Sequence, residues 1–521
     1  MTAAHLRLIS TDIRVQARNG FYAVYTVLTT VFVAILVVTP GAYRPRVFEL
    51  IVLLDPSFMG FFFAGGLILL ERDQGVLPFV VTRGRGFRAW WGAKVAAIAA
   101  LALLVVGILV ALVAATGMLR FDATQLVLMT LALVLTVPAF FSLGVAIAGR
   151  FPRVIDYFVY SALIMTPAMF PLVELLGVSV GPVGVVSPVW GTLVLVTSLS
   201  GPAPGALEIA GAVLSLLVWN LIGYRLAARG FAKLAGVTGG GGGPGTESPA
   251  TASTPAGRHR PYRRHRGRFA RSAAWTDMRL ILREPATVGL LFAPLVIAPL
   301  LGRGIPHALG PDGALAQILP QAVASAVVTH VAYIRSFAIL LIASLYGILG
   351  GLLYLDEQDT GMVPVLQTLP GPRRWYLYRR CARLMGLYVL MIAATVPLSG
   401  IDIGTGSSNG AGGVVLFVLS LAVDALAIPM FFFALSALAK SKLQGLALTK
   451  ILNIFIVAPF VMAVVPARWV WLVGVFPTAW GTLLRTATTA PLHGVGIAAL
   501  GSVYAGAVIV LFLRRIDRRG H

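Results

Sequence analysis

The chain has one cysteine, few histidines and no phosphate-binding motif, and each shortage excludes a kind of bond, site or activity. Cys381 is the only cysteine, so no disulfide can form within the chain. The seven histidines are scattered over positions 5, 259, 265, 307, 330, 493 and 521, without the short spacing of a metal site, so we expect no metal. No G-x-x-x-x-G-K-[ST] motif occurs, so we do not expect the chain to bind and hydrolyse ATP or to be an enzyme.

Apolar residues are abundant. Of 521 residues, 58% are hydrophobic and only 12% are charged, and the mean hydropathy is +0.89, which is too apolar for one water-soluble core. Runs of about 20 apolar residues, long enough to cross a bilayer, recur along the chain. We predict twelve transmembrane helices, near residues 21–40, 47–70, 95–117, 124–148, 154–175, 205–224, 286–302, 333–355, 381–399, 412–438, 446–465 and 494–513.

The positive charges behind the formal net charge of +22 are distributed unevenly between the two sides of the predicted spans. With the N-terminus in the cytoplasm, only seven of the 41 Lys and Arg fall outside: Arg44, Arg46, Arg120, Arg303, Arg335, Arg468 and Arg485. This bias predicts a multi-pass protein of a bacterial plasma (inner) membrane with both termini in the cytoplasm. We weighed nucleic acid as a partner of the basic stretches, but aromatic residues are scarce there, so anionic lipids are the expected partners.

The chain divides into two related halves. A glycine-rich and then arginine-rich stretch, 233–271, predicts a flexible basic cytoplasmic linker between a first six-span half, 1–232, and a second, 272–521. One constant offset relates Glu71, Asp73, Gly75, Pro78, Thr82 and Arg88 to Glu357, Asp359, Gly361, Pro364, Thr368 and Arg374. Pro138 and Trp190 likewise match Pro429 and Trp480. Because each half has an even number of spans, we predict two parallel six-helix repeats in an all-α membrane protein.

Each half begins with an amphipathic segment. Residues 3–18 place apolar side chains at helical spacing against Arg14 and Arg18, and residues 272–285 do something similar with Arg279 and Arg283. We predict an interfacial helix at the start of each half. The alternative is a charged anchor that only sets the topology.

The segments between the second and third spans are the best candidates for a docking surface. In both halves, acids are followed by a glycine that permits a turn and then by basic and aromatic residues. We expect these acids to be available to basic residues of a soluble partner. The predicted docking residues are Glu71, Asp73, Gly75, Thr82, Glu357, Asp359, Gly361 and Thr368. Plain solvated connectors are the alternative.

Two acids fall inside predicted spans, where a charge is costly and therefore points to function. Asp55 precedes Pro56 and is also compatible with capping a broken helix. Asp424 is also compatible with a bond to Ser420 or to a neighbouring span. Phenylalanines could add an apolar substrate path, although consecutive ones must point several ways and most would contact lipid or other helices. The candidates are Phe61, Phe62, Phe140, Phe141, Phe431 and Phe432.

The segment from Leu70 to Leu77, with Thr82, resembles the loop after the second span in type 2 ABC exporter permeases, and Asp356 to Gly361 is a looser copy. Drug or fluoroquinolone exporters are the most similar members. The resemblance implies that these loops dock on two copies of a cytoplasmic ABC ATPase subunit, which binds ATP and magnesium, while this chain holds no cofactor. It also implies export of a hydrophobic or amphipathic molecule, drug-like or lipid-like. Typical members have one six-span unit, so the fusion of two is a departure.

Two other functions compete with this one. An ion-coupled secondary transporter would use Asp55 or Asp424 as a proton carrier. An enzyme acting on lipid-linked substrates would need a histidine cluster, paired acids at a span end or a nucleophile motif, and the sequence contains none of these.

Overall fold

A computed structural model gives the architecture of the chain. It describes residues 3–18, 20–39, 41, 44–53, 59–73, 75–77, 80, 86–151, 156–157, 160–161, 164–165, 168–176, 181–199, 204–235, 285–308, 330–359, 373–400, 410–456, 459, 462, 473–486 and 491–519. Every regular element in these segments is helical. The linker 233–271 lies almost entirely outside them, so its predicted flexibility stays a prediction.

Within the described segments, the first half consists of an amphipathic helix followed by seven α-helices of 9 to 29 residues. They are α1 (Ala3–Arg18), α2 (Phe21–Val38), α3 (Arg44–Val52), α4 (Met59–Asp73), α5 (Phe87–Ala115), α6 (Ala123–Ala148), α7 (Pro188–Val196) and α8 (Ala206–Leu234). Short 3₁₀ helices at Phe170–Leu176 and Gly181–Val186 precede α7, and one at Thr197–Leu199 follows it.

The second half is also helical and has several breaks at its start. Its helices are α9 (Pro285–Phe292), α10 (Pro294–Pro299), α11 (Ile305–Ala308), α12 (Val331–Asp359), α13 (Arg373–Leu398), α14 (Gly410–Ala425), α15 (Ala427–Leu438), α16 (Lys442–Ile456), α17 (Ala479–Thr486) and α18 (Pro491–Arg519). A π-helical turn, Leu300–Gly304, joins α10 to α11. Pro294 and Pro299 interrupt the backbone hydrogen bonding of a continuous helix there, which accounts for the breaks.

Side-chain caps fix where two of these helices begin. Before α6, the Asp122 carboxylate accepts a hydrogen bond from the Gln125 amide (2.7 Å), and the Gln125 side chain accepts one from the Asp122 amide (3.0 Å). This reciprocal pair satisfies amides that have no partner within the helix. Before α7, the Ser187 hydroxyl accepts from the Val189 amide, and Pro188 occupies the first turn, where its missing N–H costs nothing.

Among the described residues, seven helical segments are long and apolar enough to cross a membrane. They are Phe87–Ala115, Ala123–Ala148, Ala206–Leu234, Val331–Asp359, Tyr376–Leu398, Gly412–Leu438 and His493–Ile516. The prediction of an all-α, multi-pass membrane protein is therefore confirmed. The remaining predicted spans coincide with shorter or broken helices or with residues outside the described ones, so the figure of twelve stays a prediction.

The N-terminal segment bends sharply before the first apolar helix. Helices α1 and α2 meet at 65°, next to Gly20, whose φ of 78° is in the left-handed region. On α1, Arg14 and Arg18 are exposed while Gln16 is 4% exposed. Helix α1 therefore has one polar and one packed face and lies at a steep angle to α2. Its place in the membrane interface stays a prediction.

Small residues bring helices together within the first half. A Cβ at Gly149, at the end of α6, would lie 2.5 Å from the Cα of Gly230 in α8. Only glycine permits this approach, which is how transmembrane helices gain packing contacts without help from the hydrophobic effect.

The two halves meet where α2 contacts α16. Ala447 of α16 is fully buried in the same apolar cluster as Phe21 and Tyr25 of α2. At this contact the Lys450 ammonium donates to the Tyr25 hydroxyl at 2.7 Å and lies 5.2 Å from the centre of its ring. The halves are thus joined by packing between helices as well as by the chain.

Candidate functional site

The C-terminal end of α4 and the N-terminal end of α5 are joined by a buried polar contact. Glu71 lies in the last turn of α4, and Trp90 and Lys94 lie one turn apart on one face of α5. The Trp90 indole donates to Glu71 Oε2 at 2.9 Å, and the Lys94 ammonium donates to Glu71 Oε1. Lys94 is only 6% exposed, so this charge requires close partners.

The same ammonium also binds the interfacial helix. Lys94 Nζ lies 2.5 Å from Asp12 Oδ1 in α1, so one cation holds α1, α4 and α5 together. Burial raises the pKa of the Asp12 carboxyl above its ordinary value; Lys94 opposes the rise and the nearby Glu71 charge adds to it. The Asp12 and Glu71 carboxylates therefore share the Lys94 ammonium. Without this cation, two like charges would lie close together in a largely buried place.

The second half contains the same arrangement. Glu357 lies near the end of α12, and Tyr376 and Arg380 lie one turn apart at the start of α13. The Tyr376 hydroxyl and Arg380 Nη1 each donate to Glu357 Oε2 at 2.7 Å. Arg380 also donates to the Tyr376 hydroxyl at 2.9 Å. In both copies, an acid from one helix end accepts from an aromatic donor and a cation on the next helix.

The offset that relates the predicted acids also relates their partners. Glu357 follows Glu71 by the same number of residues as Tyr376 follows Trp90 and as Arg380 follows Lys94. Sequence reasoning used this offset for the loop residues alone and missed the two cations and two aromatics. Continuing it into the third spans would have found them.

These contacts correct one expectation about Glu71. We expected the loop acids to be available to a soluble partner, but Glu71 is occupied by Trp90 and Lys94. Glu357 is likewise bonded within the chain. Both acids therefore hold the two ends of their loops together, and docking of a partner on these loops stays a prediction.

The structure describes only some of the other predicted docking residues. Asp73 and Asp359 are the last residues of α4 and α12, and the side chain of Asp73 is not among those described. Gly75 is exposed with φ 69° and donates from its amide to the Arg72 carbonyl, which confirms the predicted turn. Thr82, Gly361, Thr368, Arg279 and Arg283 lie outside the described residues.

The predicted phenylalanines pack inside the helix bundle. Phe61, Phe140, Phe141, Phe431 and Phe432 are at most 1% exposed. Phe61 meets Phe140 edge to face with ring centres 6.4 Å apart, and Phe432 packs on Tyr354 in a similar way. The side chain of Phe62 is not among those described. In this conformation the described phenylalanines fill contacts between helices, so their predicted place on a substrate path stays a prediction.

The two predicted intramembrane acids have different outcomes. Asp55 lies outside the described residues. Asp424 is 2% exposed, and its Oδ2 accepts from Arg485 Nη1 at 2.6 Å. The Arg485 side chain is 8% exposed and paired. Its predicted position on the outer side of the membrane stays a prediction. A cation and an acid, each set in an apolar segment, are the sequence signal for such a pair.

Comparison with known proteins gives one family match. Residues 277–513 match the family described as Fluoroquinolones export permease protein Rv2686c-like. Two proteins of Mycobacterium tuberculosis are similar, Fluoroquinolones export permease protein MT2760 (strain CDC 1551 / Oshkosh) and Fluoroquinolones export permease protein Rv2686c (strain ATCC 25618 / H37Rv). Each is 26% identical over 257 residues, which make up 46% of this chain and 90% of the relative. No solved structure matches. The resemblance to drug-export permeases is thereby confirmed.

Proposed function

We propose that this chain, whose residues 277–513 carry the pattern of the Rv2686c-like fluoroquinolone export permeases, is the transmembrane permease of an ATP-driven ABC exporter. Two copies of a separate cytoplasmic ATPase subunit bind ATP and magnesium and dock on the loops after α4 and α12. The permease moves a hydrophobic or amphipathic small molecule, drug-like or lipid-like, out of a bacterial cell.

The observation that carries this proposal is the duplicated acid, aromatic and cation arrangement. Glu71 with Lys94, and Glu357 with Arg380, each join the two helices that border a cytoplasmic loop. A push on either loop would therefore move both helices as one unit, because buried ion pairs resist separation. In the first half, Asp12 extends this unit to the interfacial helix.

The permease is proposed to be complete in one chain. The M. tuberculosis relatives align over 90% of their length to less than half of this chain, which fits one six-span unit in each relative and two here. Residues 1–232 and 272–521 then form parallel repeats of six spans each, joined by the linker 233–271. ATP binding would bring the two loops together and move the two halves against each other.

Ion coupling through Asp55 or Asp424 is the less favoured function. Asp424 is bonded to Arg485 and flanked by Ser420, which also receives a hydrogen bond from Arg485. A carboxylate held by a buried guanidinium is poorly suited to binding and releasing a proton during each cycle.

The first test is purification of the chain from its native membrane with identification of the proteins that accompany it. We expect an ABC ATPase at about two copies per chain. The complex is then reconstituted into vesicles and supplied with a fluoroquinolone and ATP. ATP-dependent accumulation of the drug supports the proposal.

The inhibitor pattern separates the two mechanisms. Under the ABC mechanism, orthovanadate stops accumulation and a protonophore does not. Accumulation that needs a proton gradient and is indifferent to ATP would instead establish ion coupling and overturn our proposal.

A further inference from the structure

Arg485 joins three elements of the second half at a buried point remote in sequence from the loops. Besides Asp424 in α14, it donates from Nε to the Ser336 hydroxyl of α12 (3.0 Å) and from Nη1 to the Ser420 hydroxyl of α14 (3.1 Å). Because Arg485 lies near the end of the short helix α17, one guanidinium fixes that end of α17 to α14 and α12.

The other end of α17 is also fixed by a polar contact. The hydroxyl of Thr478, just before α17, donates to the Phe455 carbonyl of α16, the helix that contacts the first half. Between the two ends, the Asp424 carboxylate packs directly on the α17 backbone, since a Cβ at Gly481 would lie 2.0 Å from Asp424 Oδ1. Helix α17 thus links the interface between the halves to the Asp424–Arg485 pair.

The Asp424–Arg485 pair holds α17 in place at a high cost in free energy. Asp424 Oδ1, Arg485 Nη2, Tyr388 Oη and Thr482 Oγ1 are all buried and have no hydrogen-bond partner among the described residues. Each buried polar atom without a partner destabilises the fold, and a charged one does so most. The attraction between Asp424 and Arg485 must offset this cost as well as the loss of hydration of both charges.

The first half holds its equivalent helix without charges. The offsets of the Pro138–Pro429 and Trp190–Trp480 matches place Leu133 and Leu195 where the second half has Asp424 and Arg485. Both leucines are at most 1% exposed and belong to one apolar cluster. We call the contact at these two positions the joint of each half. The joint is therefore apolar in the first half and charged in the second.

One further polar contact separates the two joints. In the first half, Thr136 and Thr192 share a buried hydrogen bond of 2.7 Å. The corresponding residues are Ala427 and Thr482, which explains why the Thr482 hydroxyl lacks this partner. The second half thus has a charged contact where the first half has a neutral one. A requirement for stability alone does not explain this difference, because burying two charges costs more free energy than burying two hydroxyls.

We infer that Asp424 and Arg485 are a positioning pair of the transport cycle: they hold α17 in the described conformation, and the pair opens or re-forms as substrate passes the second half. A directional ion pair suits this task because it gives α17 one defined position and a discrete alternative, whereas apolar packing is non-directional. The inference rests on the proposed export function and adds that the two halves move differently.

The test copies the first half into the second, in the complex of full-length chain and ATPase subunits reconstituted in vesicles. The variant Asp424→Leu with Arg485→Leu recreates the Leu133–Leu195 joint. We expect its melting temperature to equal or exceed that of the wild type, while fluoroquinolone-stimulated ATP hydrolysis falls at least tenfold. Basal ATP hydrolysis should remain within twofold.

Two further variants keep the result interpretable. Thr136→Val with Thr192→Val removes the polar contact of the first-half joint, and we expect stimulation to stay within twofold of the wild type. Arg485→Leu alone leaves the Asp424 charge buried without its partner, so we expect it to lower the melting temperature. This loss would show that the double leucine variant is stable because both charges are gone.

Two results overturn the positioning pair. One is a double leucine variant that is stimulated like the wild type; the other is stimulation that falls only in proportion to the amount of folded protein. If the wild-type complex shows no ATP-dependent transport, the export function fails and the pair fails with it. A working wild type with an unaffected double leucine variant overturns the pair alone.

Discussion

The Lys94 ammonium lies 2.5 Å from the Asp12 carboxylate, although 82 positions separate the two residues in the chain. The contact ties the interfacial helix α1 to the third predicted span. Since Glu71 shares the same ammonium, the end of α4 belongs to the same unit. Under the proposed function, motion of the loop after α4 would be transmitted to α1 and α5 together, as coupling to an ATPase requires.

Removing the Lys94 charge should destabilise the first half. Lys94→Met leaves the Asp12 and Glu71 carboxylates close together without their cation, and breaking a buried ion pair in this way costs about 3–5 kcal/mol. Lys94→Arg should retain most of the stability, because Arg380 does the same work in the second half. Unfolding in mixed micelles measures both. A Lys94→Met variant as stable as the wild type would show that the contact contributes nothing.

The loop acids should matter for coupling more than for ATP hydrolysis itself. Glu71→Gln and Glu357→Gln each weaken the hold between the helices that border one loop, so substrate-stimulated ATP hydrolysis by the complex should fall. If the weakened contact raises the activation free energy of the stimulated reaction by about 1.4 kcal/mol, the stimulated rate of ATP hydrolysis falls roughly tenfold. The corresponding alanine variants, Glu71→Ala and Glu357→Ala, should lose at least as much.

Glu208→Gln is the matched control for the loop acids. Glu208 is an exposed acid in the first turn of α8 and bonds the Gly205 amide, away from both loops. It should leave stimulation within twofold. Equal losses for Glu208→Gln and Glu71→Gln would mean that the effect is not specific to the loops.

The apolar helices and the matching acids could both be found in the sequence without knowledge of the fold. A run of 18 or more apolar residues specifies a helix that can span a membrane, as in α5 and α6, whatever its neighbours are. The acids Glu71 and Glu357 could be identified because the residues around them match between the two halves at one constant offset. Neither signal requires knowledge of which helices touch.

The partners of those acids could not be predicted so directly. Lys94 appeared as one of many cytoplasmic cations, and only the packing of α1 against α5 shows that it binds Asp12. For Arg485, a topology count predicts only a side of the membrane, whereas the structure shows that Asp424 and two serines bond its buried guanidinium. Pairing across distant segments is a property of the folded chain.

A single methyl group should test the close packing of α6 against α8. Gly149→Ala places a Cβ 2.5 Å from the Gly230 Cα, so the helices must separate, at a cost of about 1–3 kcal/mol. Gly107→Ala is the control: it lies inside α5 with nothing within 4 Å of the added Cβ, so it should leave stability unchanged or raise it by up to about 1 kcal/mol. Equal effects of the two variants on unfolding would contradict the observed helix contact.

Single cysteines should determine the orientation of α5 in the membrane. The helix has 29 residues and is therefore about 44 Å long, more than the roughly 30 Å of hydrocarbon it must cross. With Cys381 replaced by alanine, Gly86→Cys and Arg120→Cys each place one exposed thiol on opposite sides of the membrane. A membrane-impermeant maleimide added to intact cells should label Arg120→Cys and should reach Gly86→Cys only after permeabilisation. The reverse pattern would put the Glu71 loop outside the cell and remove the ATPase from any contact with it.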